Sequence, residues 1–507
     1  MATLPPAQPT AILRGHRAQV HSAVFMRLER TAEGATMTAD TRLATGDSDG
    51  YVVLWDLAIV RARAVWRAHQ NSILGMAAWD DDQQLVTHGR DHRLVVWQVG
   101  VADEARSSTV LPLDDESASA ASKTPGSSAT RPQPWMVHVL EVNTMNFCAF
   151  AWSGLVGSVA AVTAVTGSDS TSTDVATTGP APRQRLVAVP NTLTLEAADI
   201  YHLPSQRRIN TIKLGTKEGM IMAMALFYAP SDENTLILIA AFENGVVVLA
   251  TLAQGADGPA IILYRAQPHS QPILSLDVSP DRTYFLTSAA DAVIAKHPIR
   301  LPKVAQKEKA PATEAPKASH PPPPPSNNKP VSLLSAALAK EASTSSSSRV
   351  PPASKAAPPP PVEVETQPLA TINTKHAGQQ GLRIRDDGRL FATAGWDARV
   401  RVYAAQTMKE VAVLKWHQTG CFAVAFAPVV RPESTADGND KKAIEGAPSN
   451  AVATTPGAAS SSGTSLVSRA NNRREVSVKE RRLRHAVTAH WLAVGSKDGK
   501  ISLWDIF

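Results

Sequence analysis

Histidine, threonine and aspartate recur in this sequence at spacings that could serve acid–base chemistry. With the tryptophan that follows them, two sets are complete: His16, Thr45, Asp49 and Trp55, and His69, Thr87, Asp91 and Trp97. An imidazole between a carboxylate and a hydroxyl is the arrangement that activates a nucleophile in hydrolases. A catalytic triad occurs once in an active site, whereas this set is complete twice and partial in three further places. Repetition therefore favours a structural role, in which buried imidazoles join turns to strands by hydrogen bonds.

Each complete set includes a β-hairpin whose sequence repeats. Residues 43–55 read LATGDSDGYVVLW and residues 85–97 read LVTHGRDHRLVVW, a shift of 42 positions. Both copies place Thr four residues before the turn Asp and Trp six residues after it. Short β-branched runs around an Asp-containing turn are typical of hairpins. A period of about 40–45 residues with Gly-His and Trp-Asp signals is typical of β-propeller blades.

These residues resemble the WD-repeat family, and the resemblance implies a structural hydrogen-bond network in each blade. The expected members are His16, Thr45, Asp49, Trp55, His69, Thr87, Asp91, Trp97, His269, Thr287, Asp291, His376, Thr393, Asp397, His417, Asp498 and Trp504. The fifth blade departs from the pattern, because His297 occupies its Trp position. The middle of the chain is degenerate, and its third blade lacks the signature residues.

Seven blades fit the length of the chain best. Without the long insertions, seven blades contain about 43 residues each, against about 50 for six blades and 37 for eight. Residues 10–14 form a strand with no blade before it, and the last blade ends after its third strand. We therefore predict an all-β, seven-bladed WD-repeat β-propeller over residues 10–507, a single domain closed by pairing of residues 10–14 with residues 501–504. Closure removes an exposed sheet edge.

Low-complexity segments interrupt the blades. Segments rich in Ser, Ala, Pro or Lys at about 100–134, 153–183, 300–365 and 428–487 are expected to be disordered insertions. Residues 27–41 are expected to be a loop within the first blade. With four strands a to d in each blade, the a–b and c–d connections emerge on one face, which carries all these segments. The opposite face keeps short turns and is the predicted partner-binding surface.

Composition limits the class of protein. The 507 residues carry 51 basic and 45 acidic side chains, a net charge of +6, which permits acidic partners without establishing nucleic-acid binding. The cysteines are Cys148 and Cys421, which favour a reducing compartment and small buried thiols over a disulfide framework. No secretory signal and no 18-residue apolar stretch is present. We expect a soluble intracellular protein without a membrane partner.

No other motif indicates catalysis. Residues 46–50, GDSDG, match G-x-S-x-G, but that nucleophile turn needs a following helix and here a strand follows. Zinc-type Cys/His spacings and phosphate loops are absent from the sequence. We therefore predict a protein that is not an enzyme and needs neither a cofactor nor a small-molecule substrate.

One dense basic cluster remains to be explained. It consists of Arg473, Arg474, Lys479, Arg481, Arg482 and Arg484. The cluster is either a solvated charged loop or a nuclear-import signal. Direct nucleic-acid binding is the least favoured interpretation, because no aromatic side chains are interleaved for base stacking.

The sequence as a whole resembles the fungal ASTRA-associated protein 1 family. The resemblance is carried by ILRGH at 12–16, ATGDSDGYVVLWDL at 44–57, RAHQNSILGM at 67–76 and GSKDGKISLWDIF at 495–507. It implies a nuclear, non-catalytic scaffold subunit of the ASTRA complex, involved in chromatin remodelling and in assembly of PI3-kinase-related protein complexes. The implied partners are a PI3-kinase-related protein, its co-chaperones and AAA+ ATPases.

Two alternatives are WD-repeat adaptors of other complexes. A ubiquitin-ligase substrate receptor usually carries a further recruitment domain, and none is visible here. A Gβ-like signalling subunit usually has an N-terminal coiled-coil helix, for which the 14 residues before Gly15, with three prolines, leave no room.

Overall fold

The computed structural model describes residues 7–30, 38–79, 83–114, 131–142, 148–153, 185–191, 193–230, 232–252, 256, 258–301, 364–429 and 477–506. All of them except Leu301 belong to one compact unit. This unit contains seven four-stranded antiparallel sheets around a common axis, which form a seven-bladed β-propeller. The all-β, seven-bladed fold predicted from the sequence is confirmed.

Strand β1 (Ala11–Arg14) comes first in the chain, and the blades follow it. Blade 1 contains β2 (Val20–Arg30), β3 (Thr38–Asp47), β4 (Tyr51–Asp56) and β5 (Arg61–Arg67). Blade 2 contains β6 (Ile73–Trp79), β7 (Gln84–Gly89), β8 (Arg93–Gln98) and β9 (Trp135–Glu141). Blade 3 contains β10 (Ala151–Trp152), β11 (Arg185–Pro190), β12 (Ala197–Leu203) and β13 (Arg207–Lys213).

The second half of the ring repeats the same order, from the axial strand a to the outer strand d. Blade 4 contains β14 (Ile221–Ala229), β15 (Asp232–Phe242), β16 (Val247–Leu252) and β17 (Ala260–Ala266). Blade 5 contains β18 (Ile273–Val278), β19 (Tyr284–Ala289), β20 (Val293–Pro298) and β21 (Ala370–Asn373). Blade 6 contains β22 (Gln379–Ile384), β23 (Leu390–Gly395), β24 (Val400–Ala404) and β25 (Glu410–Leu414).

Blade 7 joins the two ends of the propeller. Its first three strands are β26 (Cys421–Phe426), β27 (Trp491–Ser496) and β28 (Lys500–Asp505). Its outer strand is β1, which runs antiparallel to β28 and pairs Ala11 with Leu503 and Arg14 with Lys500. The predicted closure by the N-terminal strand is therefore confirmed.

Apolar side chains fill the spaces between neighbouring blades. Because each blade is packed on both faces, its middle strands bury successive residues instead of alternating ones. In β16, for example, every residue from Val247 to Leu252 is buried. Between blades 1 and 2, the indole rings of Trp66 and Trp97 meet edge to face with centroids 5.9 Å apart. These wedges of core fix the position of each sheet around the axis.

Blade 1 is longer than its sequence pattern predicts. Residues 27–30 and 38–41 belong to β2 and β3, whose pairing extends from Val20–Asp47 to Arg30–Thr38, so the predicted loop over 27–41 is wrong at both ends. Leu28 is fully buried and Asp40 and Arg42 are almost so. The polar residues here form a buried ionic cluster, which sequence patterning reads as a solvated loop.

The predicted insertion at 100–134 begins with ordered structure. Helix α1 (Val101–Glu104) follows β8, the third strand of blade 2, and residues 108–113 contact blade 1 and the Gly15 turn. The Ser108 carbonyl accepts a hydrogen bond from the Val65 amide of β5 at 2.7 Å, and Leu111 packs into the core between blades 7 and 1. A few apolar and edge-pairing contacts are enough to order this stretch, although its average composition is polar.

The end of the predicted insertion at 428–487 is a helix. Helix α2 (Val478–Thr488) starts at Ser477, whose hydroxyl accepts a hydrogen bond from the Glu480 amide at 3.1 Å. Within this helix Ala486 is buried, and its carbonyl accepts a hydrogen bond from the indole N–H of Trp491 at 3.1 Å. Residues 115–130, 154–184, 302–363 and 430–476 lie outside the described residues, so the disorder expected there stays a prediction.

Candidate interaction surface

The network of blade 1 links two strands and a turn through one buried hydroxyl. Thr45 Oγ1 accepts the indole N–H of Trp55 at 2.8 Å and lies 2.7 Å from His16 Nε2. The other ring nitrogen, His16 Nδ1, lies 2.7 Å from Asp47 Oδ2. A carboxylate only accepts hydrogen bonds, so His16 Nδ1 donates to Asp47. The chain of bonds locks the Gly15-His16 turn onto β3 and β4.

The carboxylate of this network is Asp47, not the predicted Asp49. Asp47 is fully buried, and its Oδ1 also accepts the amides of Asp49 at 3.0 Å and Tyr51 at 2.9 Å. Asp49 itself is exposed. The turn contains two aspartates, and counting from Thr45 selected the one that points into solvent. In blade 2 the position two residues after the threonine is Gly89, so Asp91 provides the carboxylate that binds the histidine.

The two aspartates of the blade 1 turn give a first prediction. We expect Asp47→Ala to lower the free energy of unfolding by about 1–3 kcal/mol, because it leaves a buried imidazole and two turn amides without their acceptor. The matched change Asp49→Ala is expected to stay within about 0.5 kcal/mol. Chemical denaturation of the two variants measures both effects. Equal losses would show that the buried carboxylate has no special role.

Blade 2 contains the complete predicted set, and blade 5 contains it with His in place of Trp. In blade 2, His69 lies 2.7 Å from Thr87 Oγ1 and 2.9 Å from Asp91, and Trp97 donates to Thr87 at 2.9 Å. Burial acts to raise the pKa of Asp91, but hydrogen bonds from His69 and from backbone amides outweigh it and lower that pKa. The carboxyl is therefore held in its charged, hydrogen-bond-accepting form.

In blade 5 an imidazole replaces the indole. His269 lies 2.8 Å from Thr287 Oγ1 and 3.2 Å from Asp291, as in blade 2. His297 Nε2 lies 2.9 Å from the same threonine hydroxyl, and His297 Nδ1 lies 2.8 Å from the Tyr264 hydroxyl of blade 4. Burial lowers the pKa of His297 to about 3, so the ring is neutral and fully hydrogen-bonded.

Blade 6 does not use His376, which was predicted for its network. Gln379 is buried instead, and its Oε1 accepts the Thr393 hydroxyl at 2.7 Å. The His376 side chain is 41% exposed and lies 3.6 Å from Asp397, which Arg401 binds at 2.6 Å. His376 comes three residues before its axial strand, whereas the other network histidines come four before theirs. The spacing from His376 to Asp397 is 21 residues, against 22 between the histidine and aspartate of blades 2 and 5, and this difference was the sequence signal that His376 is out of register.

Blade 7 moves the hydroxyl to the neighbouring strand. Ser502 on β28 lies 2.8 Å from His417 Nε2 and accepts the Trp504 indole N–H at 2.8 Å. Its direct partner across the sheet is Val494, which occupies the position of the missing threonine. The predicted Asp498 binds Lys500 at 2.6 Å and also contacts Ser496. Burial lowers the pKa of His417 to about 4.

These networks leave no room for a substrate. The hydroxyl-bearing residues Thr45, Thr87, Thr287, Thr393 and Ser502 are all fully buried, and none of them lines the axial cavity. Residues 46–50 form the end of β3 and the turn to β4, so a strand and not a helix follows the G-x-S-x-G match. In blades 1, 2 and 5 the ring nitrogens of the network histidines are directed at other parts of the same blade or the next one. In blade 7, His417 Nδ1 is buried without a hydrogen-bond partner among the described residues.

Metal and thiol chemistry has little support in the described part of the chain. No group of three or more His, Cys, Asp or Glu side chains is placed there to hold a metal ion. Cys148 and Cys421 are buried as thiols, and burial raises the pKa of Cys421 to about 12. Within the same described ranges, no helix has the length and apolar character needed to cross a membrane.

Two surfaces remain as candidates for partner binding. One is the axial channel, a cavity of about 980 Å³ lined by the first strands of all seven blades. The other is helix α2, which exposes Lys479, Arg481, Arg482 and Arg484. The remaining members of the basic cluster, Arg473 and Arg474, lie outside the described residues.

The closed ring and its buried networks define a seven-bladed β-propeller. A family model described as ASTRA-associated protein 1 matches residues 9–504 of this chain. A relative of that name from Verticillium alfalfae is 44% identical over 499 residues, which cover 98% of this chain and 93% of the relative. The Pyricularia oryzae protein of that name is 44% identical over 528 residues, covering 99% and 98%. The chain belongs to the ASTRA-associated protein 1 family.

Similarity also extends over most of the chain in relatives of lower identity. The Schizosaccharomyces pombe protein of the same name is 28% identical over 448 residues, which cover 83% of this chain and 93% of the relative. The match to the family model extends from the closing strand β1 to β28, so every blade lies within it.

Proposed function

We propose that this chain is a non-catalytic scaffold subunit of the ASTRA complex. The observation that carries the proposal is the family match over residues 9–504, together with relatives named for association with ASTRA. The sealed hydrogen-bond networks support a structural use of the histidines and threonines. A rigid ring with many exposed turns offers several separate surfaces to partner proteins.

The finer part of the proposal comes from the family resemblance. The protein acts in the nucleus, in chromatin remodelling and in the assembly of PI3-kinase-related protein complexes. Its partners are a PI3-kinase-related protein, the dedicated co-chaperones of that protein, and AAA+ ATPases. No cofactor and no small-molecule substrate take part.

Affinity purification of the tagged full-length protein from its own cells, with quantitative mass spectrometry, tests this function. We expect enrichment of a PI3-kinase-related protein, its co-chaperones and AAA+ ATPases over a tag-only control. Enrichment of ubiquitin-ligase subunits without these partners would support the substrate-receptor alternative. Enrichment of a Gα subunit alone would support the signalling alternative, and either result overturns the proposal.

The basic side chains of α2 give a second prediction, on localisation. Changing Arg481, Arg482 and Arg484 to Ala is expected to shift a fluorescent full-length fusion from nucleus to cytoplasm, because import receptors bind clustered basic residues. Alanine preserves helix formation, so the change removes charge without breaking α2. The nuclear-to-cytoplasmic fluorescence ratio is the measurement.

A matched control separates this role from a general loss of charge. Changing the exposed Arg61, Arg207 and Lys409 to Ala removes the same charge from other parts of the propeller. This control is expected to keep the distribution of the wild type. An unchanged ratio in the α2 variant would exclude the cluster as the import signal.

A further inference from the structure

Six of the axial strands share a β-bulge at the same place. In β2, β6, β14, β18, β22 and β26, the pairing with the next strand skips the second residue. An extra residue of this kind leaves the ladder and turns its side chain in a new direction. The skipped residues are His21, Leu74, Met222, Leu274, Gln380 and Phe422, and all six line the axial cavity. We call them the bulge ring.

The bulge ring lies at the channel mouth on the turn face, the face that carries the d–a and b–c turns. Each of its residues is the second of an axial strand, directly after a d–a turn. Of the charged lining residues, Asp277 and Arg383 come later in their axial strands and Arg282 follows β18, towards the other end of the channel. Arg90, in the b–c turn of blade 2, is the charged lining residue on the turn face among those described. The two mouths therefore differ in chemistry.

The bulge ring is mostly apolar and carries no charge near neutral pH. Four members, Leu74, Met222, Leu274 and Phe422, are apolar side chains that stay partly exposed. His21 stacks on Phe422 with ring centroids 5.3 Å apart and planes 4° from parallel. Burial lowers the pKa of His21, although the Asp47 charge acts against this, so the His21 imidazole stays neutral.

A half-exposed tryptophan extends this apolar surface across blade 6. Trp396 is 48% exposed, and its indole N–H donates to Gln380 Oε1 at 2.6 Å. Gly378 lets the indole pack close, since a Cβ there would come within 2.2 Å of the Trp396 ring. Gly420 likewise lies against both Trp396 and Phe422. Trp396, Phe422 and His21 thus form an aromatic arc over blades 6, 7 and 1.

The turns around this arc carry an excess of positive charge. The exposed basic residues on the described turns of blades 6, 7 and 1 include Arg17, Lys375, Arg399 and Lys497. Three of the acidic residues of these turns are already engaged, Asp397 by Arg401, Asp498 by Lys500 and Asp47 by the network of blade 1. Asp49 is the exposed carboxylate that remains on these turns.

We propose that the turn-face mouth of the channel binds a short acidic segment of a partner protein, which inserts one large apolar side chain into the bulge ring. Burial of the apolar anchor against Leu74, Met222, Leu274 and Phe422 stabilises the complex, because it removes apolar surface from water. The acidic flanks are attracted to the basic turns of blades 6, 7 and 1. The proposal deepens the proposed function, on which it rests for the identity of the partner as a subunit of the complex.

Fluorescence anisotropy with the purified full-length protein tests the chemistry. The probe is a fluorescein-labelled peptide in which one phenylalanine is flanked on each side by two glutamates. One comparison peptide has lysines in place of the glutamates, and the other has alanine in place of the phenylalanine. We expect the first peptide to bind at least about tenfold more tightly than either comparison peptide. Absence of binding by all three, or tighter binding of the lysine peptide, overturns the proposal.

Variants of the bulge ring locate the site. Leu274→Arg places a charge in the apolar mouth and is expected to weaken binding of the first peptide by about tenfold or more. Met222→Arg does the same from the neighbouring blade and guards against misfolding of one variant. The control Val411→Arg changes an outer-strand side chain that is 56% exposed and should bind like the wild type. Wild-type binding by both folded mouth variants rules out this site.

Charge reversal on the rim tests the second half of the proposal. The double change Arg399→Glu and Lys497→Glu is expected to lower the affinity for the acidic peptide and to reduce the salt dependence of its binding. The control, Arg61→Glu with Lys409→Glu, changes exposed charges on the opposite face and should have little effect. Equal effects of the two pairs overturn the role of the rim.

These outcomes are separable from the proposed function. Peptide binding is measured without the complex, so it can succeed even if affinity purification returns no ASTRA subunits. Conversely, recovery of all ASTRA subunits with the Leu274→Arg protein would keep the proposed function and reject the mouth as their docking site.

Discussion

Deletion of residues 1–14 is expected to open the propeller and to give a protein that aggregates or is digested at low protease concentration. The deletion removes β1, the outer strand of blade 7, and leaves β28 as an unpaired edge. Leu13 is 1% exposed and packs between blades 7 and 1 with Ile501 and Leu503. Burying a large apolar side chain contributes about 1.5–3 kcal/mol, while a whole domain is stable by about 5–15 kcal/mol. An exposed edge also pairs with other chains.

Two further changes make this first test specific. Deleting residues 1–8 leaves β1 intact, as well as the hydrogen bond from the Thr10 amide to the Leu503 carbonyl at 2.8 Å, and is expected to be nearly silent. Ile12→Pro removes a backbone donor from the middle of β1 and should reproduce the larger deletion. Thermal melting and limited proteolysis measure all three. A 1–14 deletion that melts like the wild type would show that β1 does not hold the ring closed.

The other large effect is expected at Arg42, on β3. Its guanidinium is 2% exposed, with Nε 2.7 Å from Glu104 and further nitrogens 3.3 Å from Asp40 and 3.6 Å from Asp56. Burial acts to lower the pKa of Arg42, but the hydrogen bond to Glu104 and the three carboxylates outweigh it and raise that pKa. We expect Arg42→Met to cost about 3–5 kcal/mol of unfolding free energy, because it leaves buried carboxylates without their cation.

Arg63 provides the matched control for this second test. It also binds Asp56, at 2.8 Å, but its side chain is 41% exposed. Arg63→Met should therefore cost no more than about 1 kcal/mol. Adding Glu104→Gln to Arg42→Met removes one unpaired charge and should restore part of the loss. Denaturant titration measures the series, and similar losses for Arg42→Met and Arg63→Met would contradict the assignment.

The features that sequence reasoning predicted well were those that repeat locally. Thr87 and Trp97 lie ten residues apart on two paired strands, so their spacing survives in the chain and sets the register of the blade. His376 and Asp49 were assigned wrongly because a one-residue shorter loop and a second turn aspartate shift the contacts without changing residue types. Gln379 and Ser502 were missed because they make the same hydrogen bonds with different chemistry.

Contacts between distant segments left no comparable signal. Arg42 and Glu104 are 62 residues apart, and nothing in either neighbourhood specifies the other. Leu111 and Ala486 pack into the core between blades 7 and 1 from segments whose average composition is polar, so composition gave no sign of them. The bulge ring was likewise invisible in the sequence, because a bulge changes the direction of a side chain without changing its identity.

The pairing of β1 with β28 cannot form until almost the whole chain has been synthesised. Arg14 and Lys500 are partners in this ladder and stand 486 positions apart in the chain. At a ribosomal rate of about 5–20 residues per second, β1 waits roughly 25–100 s for its partner to be made. Contacts of such long sequence separation also form slowly after release. We therefore expect ring closure to be the last native contact to form, so that every nascent molecule passes through an open state whose lifetime sets its exposure to aggregation and to chaperones.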